Sequence, residues 1–184
     1  MKKLLSVILA LALCTVCFCA SAEGDEWTCP GCGASCTTDF CLKCGTQRPE
    51  AVVCLGQATG RKAITPERAA LNLMDAARPD NAGNRPAEEP VVPGGPAAYF
   101  STLPVKAMAA AVREAGIPAA VSNTAGTFVC NSLMYAMLHY AASRRPDLPC
   151  GFIHVPGPED GLSREELTRG VAAALAAVAE SIQA

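Results

Sequence analysis

Two residue types able to form a thiol–imidazole pair stand at comparable places in this sequence. The stretch from Ala119 reads as a short apolar strand to Ser122, then a turn of small residues, then Cys130 opening a helix over Asn131 to about Ser143. A thiol at a helix N-terminus meets the positive end of the peptide dipoles and unpaired N–H groups, and both favour the nucleophilic thiolate. Some twenty residues on, Cys150-Gly-Phe-Ile-His154-Val-Pro156 reads as a second buried strand with a histidine near its C-terminal end. In an open α/β sheet, chemistry collects at the carboxyl ends of strands. One cysteine and one histidine delivered there are the minimum for a thiol hydrolase. An inert buried thiol and a satisfied core histidine would account for the same residues without chemistry.

The elements that must carry this pair alternate. Ala51-Val-Val-Cys-Leu55 is a continuous apolar run that suits a strand buried on both faces, and Gly56 to Arg61 follows as a Gly-bounded loop at its C-terminal end. Thr65-Pro66-Glu67-Arg68 has the signals of a helix start, with Thr65 at N-cap and Pro66 at N1, and Ala69 to Asn72 continues that pattern. Pro, Asn and Gly between Arg78 and Gly95 predict a long irregular loop. Pro104 to Glu114 is an amphipathic helix ended by Gly116-Ile-Pro118, and Leu162 to about Ile182 is an Ala-rich final helix. Alternating strands and helices predict a three-layer α/β/α fold with a mostly parallel sheet.

Composition excludes some functions. A net charge of -2, no Lys/Arg cluster and only 5% aromatic residues give nucleic acid no basic or stacking surface. The eleven cysteines are uneven: three in residues 1–22, five between Cys29 and Cys44, and three in the remaining chain. Residues 1–22 read as a secretory signal peptide, with Lys2-Lys3, an apolar run from Leu4 to about Cys19, and an Ala20-Ser-Ala22 cleavage site. The run is short for a membrane span of about 20 residues. A secreted or extracytoplasmic destination is therefore expected, with no stable membrane insertion once the leader is cleaved.

Residues 23–50 read as a small module and linker. Cys29-Pro-Gly-Cys32-Gly33 and Cys41-Leu-Lys-Cys44-Gly45 are two CxxC-Gly knuckles. That spacing lets four thiolates reach one tetrahedral metal, and it resembles a short zinc ribbon with Cys29, Cys32, Cys41 and Cys44 as ligands and Cys36 left over. So short a segment would draw most of its folding free energy from structural zinc. Disulfide pairing in an oxidising compartment is the alternative.

Residues 51–184 carry a resemblance in many ordered motifs. They are Gly56-Gln-Ala-x-Gly-Arg61, Ile64-Thr-Pro-Glu-Arg-x-Ala-x-Asn72, Pro79-Asp-Asn-x-Gly83, Gly95-Pro-Ala-Ala-Tyr-Phe100, Leu103-Pro-x-Lys106, Gly116-Ile-Pro-Ala119, Thr124-Ala-Gly-Thr-Phe-Val-Cys-Asn131 and Gly151-Phe-Ile-His-Val-Pro156. Together, from about Val52 onward, they resemble the pyroglutamyl peptidase I (pyrrolidone-carboxylate peptidase) family. The resemblance implies an α/β/α sandwich and a cysteine peptidase that removes N-terminal pyroglutamate from peptides with no catalytic cofactor. Family enzymes are normally cytoplasmic, against the leader, and assemble as homo-oligomers through surfaces near the long loop.

Matched motif by motif, the resemblance makes Cys130 the nucleophile, His154 the base and Glu67 the orienting acid. An uncharged lactam calls for an apolar slot plus a few hydrogen bonds, for which Phe128, Val129 and Gln57 are candidates. By residue pattern alone, Glu67 reads rather as a solvated first-turn carboxylate. Two departures stand out. The strand, Phe-Gly-Gly loop and further elements that precede the strand at Val52 in the family are replaced here by leader and cysteine module, which predicts an unpaired sheet edge. The family's usual arginine before its Pro-Asp-Asn is displaced, leaving Ala77 and Arg78. Other readings are a secreted zinc-ribbon interaction protein with an inactive peptidase remnant, and another Cys–His amidohydrolase such as a glutaminase.

Overall fold

The computed structural model describes residues 7–11, 27–29, 31–36, 43–45 and 48–183. Its main sheet has four strands in the order β1(Val7–Leu11)–β4(Ala51–Gln57)–β8(Cys150–Val155)–β5(Thr65–Pro66). β1, β4 and β8 run parallel, and β5 closes the far edge antiparallel to β8. Two short hairpins lie apart: β2(Trp27–Thr28) with β3(Ser35–Cys36), and β6(Ala69–Leu71) with β7(Ala98–Phe100).

The period-two alternation of β4 and β8 builds three layers. Ala51, Val53, Leu55, Ile153 and Val155 point to one face, where α1(Val105–Glu114) and α3(Arg164–Gln183) cover them with Met108, Val112, Ala174 and Val178. Val52, Cys54, Cys150 and Phe152 point to the other, under Met134, Tyr135 and Leu138 of α2(Val129–Arg144). Burying each large aliphatic or aromatic side chain contributes about 1.5–3 kcal/mol, so these two clusters fix which helix lies on which face. Gly170 lets α3 approach closely, since a Cβ there would fall 2.5 Å from Ile64 Cδ1. The α/β architecture expected from the alternation is present.

Three local expectations are corrected. Thr65 to Asn72 is extended, not helical: Thr65 and Pro66 pair with His154 and Ile153, and the Glu67 and Arg68 amides donate to Phe152 and Ser122 carbonyls. A favourable cap contributes about 1 kcal/mol. That is outweighed by burying Pro66, Glu67 and Ala70 with their backbone groups satisfied, and Pro66 sits on a sheet edge where its missing N–H costs nothing. The strand expected to Ser122 is reduced to two isolated parallel bridges, Ile64 with Ala119 and Glu67 with Ser122. The sheet edge expected to be open beside β4 is paired, because Val7–Leu11, within the apolar run of the leader, lies along Ala51–Leu55. The Ala20–Ala22 cleavage site lies outside the described residues, and among those described no helix is long and apolar enough to cross a membrane.

In the cysteine module the first knuckle folds as a tight turn. The Cys29 amide donates to Ala34 O and the Gly33 amide to Cys29 O, both at 2.8 Å, and Gly33 and Gly45 adopt the left-handed conformation that a glycine after each second cysteine permits. Cys29, Cys32 and Cys44 bring their sulfurs within 4.8 Å of one another, with Cys29 and Cys44 3.4 Å apart. Cys36, the cysteine left over, is buried beside Cys29. Cys41 lies outside the described residues.

Candidate active site

The site forms at the C-terminal ends of β4 and β8, where their loops meet the N-terminus of α2. His154 is the fifth residue of β8 and is buried, its ring packed on Phe152 with centroids 4.8 Å apart. Its Nδ1 lies 2.7 Å from Oε1 of Glu67, which is completely buried. That contact leaves Nε2 as the ring nitrogen for any further partner. The extended path of residues 65–68 is what carries Glu67 across the sheet to this histidine.

The third group arrives from above. Phe128 ends the preceding loop as the N-cap of α2 and offers no side-chain oxygen, so it leaves the first-turn amides without a side-chain cap. Cys130 is the second helical residue. Its Sγ lies over Gly56, where an added Cβ would come within 3.1 Å of the sulfur and 2.6 Å of Phe152. Gly56 is the register partner of His154 in the β4–β8 ladder, so the sulfur and the imidazole are neighbours across one strand spacing. No hydrogen bond joins Cys130 Sγ to the ring among the described residues.

Electrostatics modify the picture drawn from the helix terminus. Burial pushes the Cys130 thiol up, the Glu67 carboxylate adds to this, and the Arg61 guanidinium pulls it back down. The net direction is upward, toward the protonated thiol and against the pull of the helix terminus. Cys54 and Cys150 lie on the same face of the sheet, but burial pushes each up to about 11, with the neighbouring thiols adding to the effect at Cys54. They remain inert thiols at neutral pH.

Two residues without an assigned role in the sequence matter here. Arg61 donates from Nη1 to Oε1 of Glu67 at 2.7 Å and also bonds Thr65 Oγ1, so one carboxylate oxygen serves both His154 and a guanidinium. Oε2 of Glu67 is buried with no partner among the described residues. Asn131 is fully buried next to Cys130, accepting from the Leu71 amide at 2.8 Å and donating to the Leu71 and Leu73 carbonyls at 2.9 Å. It clamps the start of α2 to β6. The only signal of either residue was its place in a motif, Gly56–Arg61 or Thr124–Asn131. Asn131→Ala is expected to destabilise the fold by about 2–4 kcal/mol, because it removes three part-buried hydrogen bonds to the backbone of Leu71 and Leu73. The urea-unfolding midpoint measures that loss.

The expected slot residues adjoin the site in the chain, Phe128 and Val129 just before Cys130 and Gln57 just after Gly56. Phe128 and Val129 are 39% and 44% exposed at the mouth of the site, and Gln57 ends β4, its amide 3.4 Å from Thr59 Oγ1. Ala77 and Arg78 are both exposed.

Comparison with known proteins identifies the family. The pyroglutamyl peptidase family model matches residues 42–183. The chain belongs to the pyroglutamyl peptidase family. It is 55% identical over 141 residues to the pyrrolidone-carboxylate peptidase of Streptomyces coelicolor, covering 72% of this chain and 65% of that protein. It is 51% identical over 142 residues to that of Levilactobacillus brevis, covering 72% and 70%. Among solved structures, Bacillus amyloliquefaciens pyroglutamyl peptidase I superposes with a TM-score of 0.71 at 44% identity, covering 73% of this chain and 69% of that one. Pyrrolidone carboxyl peptidase from Thermococcus litoralis gives 0.71 at 35% identity, covering 74% and 69%. The chain thus spans about two thirds of the length of its family relatives.

Proposed function

We propose that this chain is a cysteine peptidase that removes N-terminal pyroglutamate from peptides, with Cys130 as nucleophile, His154 as base and Glu67 as orienting acid. The observation that carries the reading is the buried Glu67–His154 contact at 2.7 Å with the Cys130 sulfur held over Gly56, the register partner of that histidine. No cofactor enters the reaction.

In this mechanism His154 Nε2 takes the Cys130 proton as sulfur attacks the carbonyl carbon joining pyroglutamate to the next residue. The carbonyl oxygen becomes an oxyanion, stabilised by first-turn amides of α2, each worth about 3 kcal/mol. Collapse breaks the C–N bond, and the leaving amine takes the proton back from His154. Water then attacks the thioester, His154 accepts its proton, and Cys130 leaves as thiolate, to be reprotonated by the imidazolium. Glu67 holds the ring tautomer and balances the positive charge that His154 carries between the two transfers. Phe128 and Val129 form the apolar wall of the lactam slot and Gln57 hydrogen-bonds the lactam. Release of a fluorophore from a pyroglutamyl-arylamide, with no release from the prolyl analogue, tests the assignment. Folded chain without turnover at high enzyme concentration would refute it.

The amino-terminal part is proposed to be an exported leader followed by a zinc module. Lys2-Lys3, the apolar run and Ala20-Ser-Ala22 support export to a secreted or extracytoplasmic location. Cleavage after Ala22 would take Val7–Leu11 with it and free the β4 edge. For the module, ligands at about 2.3 Å around one tetrahedral zinc place their sulfurs about 3.8 Å apart, close to the spacing of Cys29, Cys32 and Cys44, with Cys41 as fourth ligand. Elemental analysis is expected to give one zinc per chain, lost when Cys29 and Cys32 become serine. Metal-free protein with oxidised cysteines would instead assign this segment to disulfides. The peptide substrate is the expected partner, and a homo-oligomer follows the family pattern.

A further inference from the structure

Of the two acidic residues in the loop after β8, Glu159 is exposed and Asp160 is buried (8% exposed), although no step of the proposed mechanism uses it. Its Oδ2 accepts from the Gly60 amide at 2.8 Å and the Gly157 amide at 2.9 Å, and its Oδ1 meets Lys62 Nζ at 3.3 Å. These contacts tie the loop after β4 to the loop after β8, about a hundred residues apart in sequence. Both loops leave the carboxyl ends of the strands that build the site. Gly60 adopts φ +91° and is followed directly by Arg61, which pairs with Glu67. The fit is tight at the other end too, since a Cβ on Gly157 would lie 2.8 Å from Asp160 Oδ2 and 3.1 Å from Gln57 Nε2. The Gly60 and Gly157 amides hold this carboxyl below the usual range, so it is anionic wherever the protein works near neutral pH.

We infer that Asp160 is a positioning residue for the Glu67–His154 pair, acting through the Gly60 amide and Arg61. This rests on the peptidase reading for its kinetic consequence, but the positional consequence stands without it. Removing the carboxylate strands two amides and leaves Lys62 without its partner. The Gly60–Arg61 turn then loosens, and the guanidinium no longer stays on Glu67 Oε1. Misplacing an orienting group by about 1 Å can cost about a hundredfold in rate.

The charged and titratable groups facing the Cys130 sulfur are Glu67 and Arg61 from the 61–67 segment, His154 from β8 and Cys54 from β4. Of these, Arg61 is the cation that favours the thiolate, so its release moves the thiol titration upward. Peptide-resolved iodoacetamide alkylation of Cys130 against pH reads that shift without any need for turnover. The comparison uses the full chain, Asp160→Ala, Asp160→Asn and, as control, Asp147→Asn, which breaks only an exposed pair with Arg145.

Asp160→Ala is expected to lower kcat about 10- to 100-fold with KM within about threefold, and to move the alkylation curve to higher pH. Asp160→Asn, whose amide oxygen can still accept, falls between, and it decides the matter if the alanine variant does not fold. The inference is overturned if both substitutions leave the Cys130 curve and kcat as they were, even if they lower thermal stability, because that outcome makes Asp160 a loop staple only. If the unsubstituted chain hydrolyses no pyroglutamyl substrate, the peptidase reading fails while the alkylation curves still decide the role of Asp160.

Discussion

Cys130→Ala is expected to lower pyroglutamyl-arylamide hydrolysis by roughly ten-thousand-fold, with the unfolding midpoint almost unchanged. Loss of a nucleophile that acts with its base as a unit costs about as much as loss of the whole constellation. The side chain is half-buried and packs only on the margin of the cluster beneath α2, so its removal leaves little void. Cys150→Ala should show the reverse pattern. That thiol is fully buried beneath α2 and held protonated, so its loss costs about 1 kcal/mol of stability and leaves turnover within a few-fold. Equal activity in the Cys130 variant and the parent would remove Cys130 from the mechanism.

Glu67→Gln is the second large effect, and two readouts should move in opposite senses. Hydrolysis falls by about a hundred- to ten-thousand-fold, because a neutral amide neither fixes the His154 tautomer nor balances its charge. The thiol itself becomes easier to ionise. Burial is the first cause holding Cys130 up and the Glu67 carboxylate the second, so deleting that charge while keeping Arg61 lowers the thiol. Its alkylation curve therefore shifts to lower pH while peptide hydrolysis collapses. The sign is opposite to that expected for Asp160→Ala, where the cation is released and the carboxylate stays. A Glu67→Gln variant that loses activity with the alkylation curve displaced upward would show that the carboxylate is not facing the sulfur as described.

What the sequence revealed follows how local each determinant is. Cys130 and its helix were legible because a run of small residues gives way abruptly to an apolar helical pattern, and α2 begins at Val129, two residues before the expected Asn131. The β8 strand was legible because a buried parallel strand is a continuous apolar run, and His154 stands where expected near its end. Thr65 to Asn72 misled because its capping signals are local, whereas the partner that holds Glu67 extended lies 87 residues away in the chain. Residue pattern alone favoured a solvated carboxylate there. Only the family motif pointed to Glu67, and it is fully buried. Arg61 and Asp160 were invisible for the same reason: their importance lies in contacts between two loops that only the sheet brings together. In the amino-terminal part, cysteine spacing indicated the knuckles, but composition alone gave no hint that Val7–Leu11 would lie along β4.

The most direct test of the site is to find the acylated atom. Rapid acid quench of the full chain during turnover of a pyroglutamyl-arylamide, followed by peptide mapping by mass spectrometry, should place a pyroglutamyl thioester on the peptide containing Cys130, lost in Cys130→Ala and prolonged in Glu67→Gln. A thioester on Cys54, Cys150 or a cysteine of the amino-terminal module, or steady turnover with no acyl adduct at any cysteine, would contradict the account.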